Sequence, residues 1–183
     1  MANSLLPKSA KILVMSHNIR RFLTIAFTLL SLSILTTAQQ NKVQKETTMK
    51  ATGTFEVKST PVAAEENVGD PLIGRLALDK QFSGSLTGKS KGQMLGFQGE
   101  TPGTGGYVAM EMVNGTLDGK KGSFALQHIG TMGDGKFDLN ISVVPGSGTG
   151  ELKGISGKMA IIIEGGKHSY VFEYSLPTAK PKQ

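Results

Sequence analysis

The chain has 183 residues, 24 of them glycine, and it contains neither cysteine nor tryptophan. Its formal net charge is +6, but residues 1–38 carry basic side chains and no acidic ones, so the remainder is close to neutral. This composition excludes disulfides, and it gives no support for nucleic-acid binding, which needs a clustered basic face.

The N-terminal residues have the organisation of a secretory signal peptide. A basic stretch, HNIRR (17–21), precedes the apolar FLTIAFTLLSLSIL (22–35), and the small residues of TTA (36–38) predict cleavage before Gln39. We therefore predict export to the periplasm or the medium, with no stable membrane span after cleavage. The apolar stretch is short for a spanning helix, and an uncleaved anchor is the alternative. Met15 is a candidate natural start.

After the predicted signal peptide (1–38), the chain divides into three parts. Residues 39–48 are polar and aperiodic and predict a flexible leader, and residues 178–183 predict a similar tail. Between them, residues 49–177 combine alternating apolar and polar positions with frequent glycines. This pattern predicts one β domain and no helix.

Eight segments of this domain alternate as strands with one buried face do. In chain order, the first six are KATGTFEV (50–57), RLALDKQF (75–82), SLTGKSKGQML (85–95), YVAMEMV (107–113), SFALQHIGTM (123–132) and KFDLNISVV (136–144). The last two lie in MAIIIEGGKHSYVFEYSL (159–176), joined by a turn at Gly165-Gly166. Asp118-Gly119 and Asp134-Gly135 are further tight-turn dipeptides.

Short strands joined by tight turns predict an all-β antiparallel meander. Closing eight strands into a barrel removes the exposed edges of an open sheet, and a two-sheet sandwich is the alternative. An eight-stranded barrel has an interior that side chains fill or that holds one small ligand.

The apolar stripe of each segment is predicted to face the interior. In the fourth segment this stripe is Val108, Met110 and Met112. Glu111 then faces outward, as does Glu173 in the last segment, and both are predicted to be solvated or to lie at an interface.

Polar side chains share some of the inward stripes, and they form the candidate site: Lys80, His128, His168 and Tyr170. An inward lysine needs a partner, water or a depressed pKa. Three groups that can be cationic and one phenol, at the end of an apolar tunnel, predict binding of a carboxylate or enolate. His168 follows a turn by two residues and is predicted at the barrel mouth, with His128 deeper. The alternative is that each is a hydrogen-bonded core residue.

A family resemblance is carried by three long stretches of the sequence: GYVAMEMVNGTLDGKKGSFALQHIGTM, SGTGELKGISG and EGGKHSYVFEY. Over about residues 49–177 the chain resembles the bacterial domain of unknown function 3224 family. The resemblance implies a barrel similar to allene oxide cyclase, among the lipocalin-like barrels. It implies no activity, because the family has no assigned function.

Three function classes remain open from the sequence. The barrel binds a small apolar or amphipathic molecule, such as one bearing a carboxylate; or it is an isomerase or cyclase; or it is a structural barrel with a filled interior. No cofactor is predicted, and the two histidines that follow the predicted signal peptide, without cysteine, make a metal site a poor interpretation. The pattern is compatible with a monomer or a homodimer.

Overall fold

The structure is a computed structural model that describes residues 47–63, 65 and 68–178. The predicted signal peptide, nearly all of the predicted leader and most of the predicted tail lie outside the described residues. Within the described part of the chain, no helix is long and apolar enough to cross a membrane.

Eight antiparallel strands form a closed barrel in which each strand pairs with its neighbours in sequence and the last pairs with the first. They are β1 (Met49–Pro61), β2 (Gly74–Gly84), β3 (Leu86–Gln98), β4 (Gly105–Leu117), β5 (Lys120–Gly133), β6 (Lys136–Val143), β7 (Ser156–Glu164) and β8 (Lys167–Ser175). One short 3-10 turn, Gly150–Leu152, lies between β6 and β7. The predicted meander and its closure are confirmed, and the sandwich is excluded.

Two-residue turns set the register of β4, β5 and β6. Asp118 and Gly119 have φ angles of 46° and 80°, and Asp134 and Gly135 have φ angles of 52° and 71°. Positive φ at both central residues is the geometry of the tight hairpin that matches the twist of the strands. As a result Leu117 pairs with Lys120, and the rest of the β4–β5 ladder follows from that pair.

This register reverses the predicted orientation of β4. Glu111 pairs with Leu126, and directly paired residues lie on the same face of a sheet. Since Leu126 is fully buried inside the barrel, Glu111 is inside as well, with 2% of its surface exposed. The prediction of a solvated Glu111 is wrong, whereas Glu173 is exposed as predicted.

The apolar side chains of β4 that were predicted to face inward lie on the outer wall instead. Val108, Met110 and Met112 are each about half exposed. With Leu95 and Ile129 from the neighbouring strands, they give β3, β4 and β5 an apolar outer face. A groove of about 720 Å³ runs between part of this face and the segment that precedes β2. Contiguous exposed apolar surface of this kind is typical of interaction sites.

The two ends of the barrel differ. One end is closed by a packed core, to which Leu152 of the 3-10 turn and the nearby Ile155 contribute. The other core residues at this end are Leu86, Leu117, Phe124, Phe172 and Tyr174. The hydroxyl of Tyr174 donates a 2.7 Å hydrogen bond to Asp118 at this end. Burial, together with this bond and the charge of Asp118, raises the pKa of Tyr174 to about 12. The interior is therefore filled at the closed end, and a cavity remains at the other.

Candidate ligand-binding cavity

The barrel interior contains a cavity of about 370 Å³ towards the open end. Its wall is mostly apolar or aromatic, with three basic side chains: Phe55, Val57, Leu78, Lys80, Met94, Tyr107, Ala109, His128, Phe137, Leu139, Ile161, Ile163 and His168. Phe137 and Ile163 are more than half exposed and form part of the rim. The volume and the apolar wall are those of a small-molecule site.

A hydrogen-bonded cluster of charged and polar groups borders this cavity. Lys80 Nζ donates to Glu111 Oε1 at 2.9 Å, and His128 Nε2 lies 2.9 Å from the same oxygen. Ser90 Oγ donates to Glu111 Oε2 at 2.6 Å. All four residues are buried, and they come from β2, β3, β4 and β5 in turn. A buried lysine is thus provided with the partner that its position requires.

The small residues of β3 allow this cluster to form across a strand. Lys80 and Glu111 lie on β2 and β4, with β3 between them. Gly92 pairs directly with Glu111, and a Cβ at Gly92 would lie 2.6 Å from the Glu111 Cβ. The absence of a side chain at Gly92 therefore leaves space for the glutamate side chain inside the barrel.

The carboxyl of Glu111 is held in its ionised form. Burial on its own would raise the pKa, but the hydrogen bond from His128, the charge of Lys80 and the hydrogen bonds from Ser90 and Lys80 outweigh it. Together they lower the pKa of Glu111 from 4.5 to about 2. Over the whole neutral range, the cluster therefore contains a carboxylate that accepts hydrogen bonds at both oxygens.

An aromatic contact connects this cluster to His168. Lys80 Nζ lies 5.1 Å from the centroid of the Phe55 ring, which is within cation–π range. The Phe55 ring also contacts the ring of His168, with centroids 5.1 Å apart. His168 is half-buried, and its ring makes no hydrogen bond with any described residue. It lies near the open end, as predicted, while His128 lies deeper, with 4% of its surface exposed.

Three of the four predicted site residues thus line one cavity, and the fourth does not. The hydroxyl of Tyr170 accepts a 2.8 Å hydrogen bond from the backbone N–H of Leu86, and its ring meets Phe82 edge-on. The absence of a side chain at Gly53 leaves room for this tyrosine, since a Cβ at Gly53 would lie 2.5 Å from the tyrosine hydroxyl. Burial raises the pKa of Tyr170. Its contacts join β8 to the start of β3, away from the cavity.

Sequence reasoning missed Glu111, Ser90 and Tyr107. A lysine inside the barrel needs a charged partner, and this requirement of Lys80 could have indicated an inward glutamate. The two-residue turn at Asp118-Gly119 fixes the register of β4 and therefore the inward orientation of Glu111. Tyr107 stacks on Phe137 at the open end, with ring centroids 6.4 Å apart. Burial and then the charge of Glu111 raise the pKa of Tyr107, which keeps its phenol protonated.

His128 lines both the interior cavity and the outer groove, and its second ring nitrogen is not fully buried. Its Nδ1 has no hydrogen-bond partner among the described residues, and none of their buried side-chain nitrogens or oxygens lacks a partner, so Nδ1 cannot be an enclosed atom. When Nε2 carries the proton and donates it to the carboxylate, Nδ1 is an acceptor. The described residues contain no group of three or more His, Cys, Asp and Glu side chains that could hold a metal ion.

The low pKa of Glu111 predicts a specific pH dependence of stability. A carboxyl whose pKa is about 2 when folded and near 4.5 when unfolded stabilises the fold above pH 4.5 and loses that contribution as the pH falls towards 2. The contribution is about 3 kcal/mol. In chemical unfolding of the wild type and of Glu111→Gln, the difference in unfolding free energy should shrink by this amount between pH 5 and pH 2. A difference that stays constant over this range contradicts the assignment.

Comparisons with known proteins agree with the fold. The model of a family described as "Protein of unknown function (DUF3224)" matches residues 51–174. A solved structure of a DUF3224 protein of unknown function from Shewanella oneidensis MR-1 is 47% identical, covers 73% of this chain and 100% of its own, and superposes with a TM-score of 0.67. No curated protein matches the chain. The chain therefore belongs to the DUF3224 family of proteins of unknown function.

Proposed function

We propose that this barrel binds a small amphipathic molecule in its interior cavity. The apolar body of the ligand lies against the aromatic and aliphatic wall, and its polar head reaches Lys80 and His128. The observation that carries the proposal is a cavity of about 370 Å³ that meets a buried ionised cluster. A pocket with an apolar wall and a few convergent polar groups is the usual form of a small-molecule site.

The polar groups favour a ligand head that contains oxygen. Lys80 uses one of its three N–H donors on Glu111, and the ring of His168 has no hydrogen bond within the described residues. Because Glu111 balances the charge of Lys80, the cluster is not the purely cationic receptor that the sequence indicated. A carboxylate or a carbonyl oxygen accepts the remaining N–H donors, with His168 close enough to the rim to meet a charged head.

The structural alternative accounts for only one end of the barrel. A filled interior describes the closed end, where Leu86, Leu117 and Phe124 are fully buried. A filled interior gives the cavity no role. It also gives no reason for burying Lys80, Glu111 and His128, although removing charges from water costs free energy. Ligand binding accounts for both features.

Two adjacent isoleucines of β7 provide a matched test of this proposal. Ile161 lines the cavity, whereas Ile162 lies on the outer face and is 41% exposed. Calorimetric titration with decanoate and with 1-decanol should detect binding to the wild type. Ile161→Trp fills the cavity and should weaken this binding by about tenfold or more, which is about 1.4 kcal/mol. Ile162→Trp should bind as the wild type does. Equal binding by both variants places the ligand outside the barrel.

Export is the second part of the proposal. It is supported by the basic residues 17–21, the apolar residues 22–35 and the small residues 36–38, which together have the order of a signal peptide. N-terminal sequencing of the protein recovered outside the cytoplasm should begin at Gln39, and a first residue far from it contradicts cleavage at this position.

A further inference from the structure

We infer that His128 acts as a general base on the bound molecule, removing a proton from the carbon next to a carbonyl group. The inference rests on the proposed function, because it requires a ligand in the same cavity. It assigns a reaction class, proton transfer that isomerises a carbonyl compound, and a role to each member of the cluster.

Glu111 gives His128 the orientation that a base requires. The ionised carboxylate accepts the N–H of Nε2 at 2.9 Å, which leaves Nδ1 as the unprotonated nitrogen of a ring that lines the cavity. A carboxylate that fixes the tautomer of a histidine and stabilises its protonated form is the arrangement by which enzymes make imidazole an effective base. Glu111 is a positioning residue here, since its low pKa makes it a poor base itself.

Lys80 supplies the group that stabilises the developing negative charge. Its Nζ and the Nε2 of His128 each lie 2.9 Å from the same Glu111 oxygen, so the two nitrogens are at most 5.8 Å apart. One small molecule can therefore contact both side chains. A preorganised ammonium group in a largely apolar cavity stabilises an enolate oxygen more strongly than water does.

The proton transfer is balanced without any further reactant. Nδ1 of His128 takes the proton from the α-carbon, and the electron pair of that C–H bond forms a carbon–carbon double bond as the carbonyl π electrons move to oxygen. The enolate oxygen accepts a hydrogen bond from Lys80 Nζ. In a β,γ-unsaturated ketone, the protonated ring then returns the proton to the γ-carbon, which gives the conjugated isomer and restores His128.

The surroundings favour one reacting histidine. The titratable groups that line the same cavity or contact His128 are Lys80 from β2, Glu111 and Tyr107 from β4, and His168 from β8. Tyr107 remains protonated because its pKa is raised, and Glu111 remains ionised. His168 makes no hydrogen bond to a carboxylate within the described residues, so it lacks the orientation that Glu111 gives His128.

The test uses 3-cyclohexen-1-one as the probe, with ultraviolet absorbance following its conversion to 2-cyclohexen-1-one. The wild-type protein should accelerate this conversion. His128→Gln keeps an N–H donor for Glu111 but has no base, and it should lower the rate by about 10²–10⁴-fold. Glu173→Gln, on the exposed outer face of β8, is the control and should retain most of the rate.

Two results overturn the inference: no acceleration by the wild type up to the solubility limit of the probe, or a His128→Gln rate equal to that of the wild type. The first result needs no variant, so it holds even where His128→Gln fails to fold. Decanoate titration of the same wild-type sample separates the two proposals. Decanoate binding without isomerisation rejects the base and keeps the binding function, whereas loss of both rejects the proposed function as well.

Discussion

The buried carboxylate of Glu111 is the constraint on which the interior of this barrel depends. A charge removed from water must be paired and hydrogen-bonded, and removing one partner of such a pair leaves an uncompensated charge. Lys80, Ser90 and His128 meet this requirement from three different strands. The cluster therefore links β2, β3, β4 and β5 on the inner face, in addition to their backbone ladders.

This cluster lies at the boundary between the two parts of the interior. On one side the core is closed by fully buried residues such as Phe124 and Phe172, whose rings are stacked with centroids 5.6 Å apart. On the other side the wall is apolar, but the space is not filled. A charged cluster next to an empty apolar space is the arrangement expected of a site in which a ligand completes the packing.

The orientation of one strand determines both faces of this region. Because Glu111 points inward, Met110 and Met112 point outward, and the outer wall of β3, β4 and β5 becomes apolar. Alternation therefore makes two separate features from one stretch of sequence: a charged group in the cavity and an exposed apolar surface. The same stretch could not provide either feature in the opposite register.

Much of this architecture was predictable from sequence, and the exception has a definite physical cause. Alternation and tight-turn dipeptides were sufficient for eight antiparallel strands, because seven of them bury their more apolar stripe. In β4 the more apolar stripe is exposed, so hydrophobicity indicates the wrong face. The Asp118-Gly119 turn contains the correction: a two-residue loop pairs Leu117 with Lys120 and hence Glu111 with Leu126. The contacts of Ser90 and Tyr170 depend on the curvature of the barrel, which pairing alone does not specify.

In the proposed site, an ionised Glu111 holds the ring of His128 with Nε2 as the donor and Nδ1 as the unprotonated nitrogen. Nitrogen-15 NMR of the histidine rings tests this most directly, because it distinguishes the two neutral tautomers. At a pH where the ring carries a single proton, we expect His128 to bear it on Nε2, and we expect Glu111→Gln to weaken this preference. A His128 ring that carries its proton on Nδ1 in the wild-type protein contradicts the account.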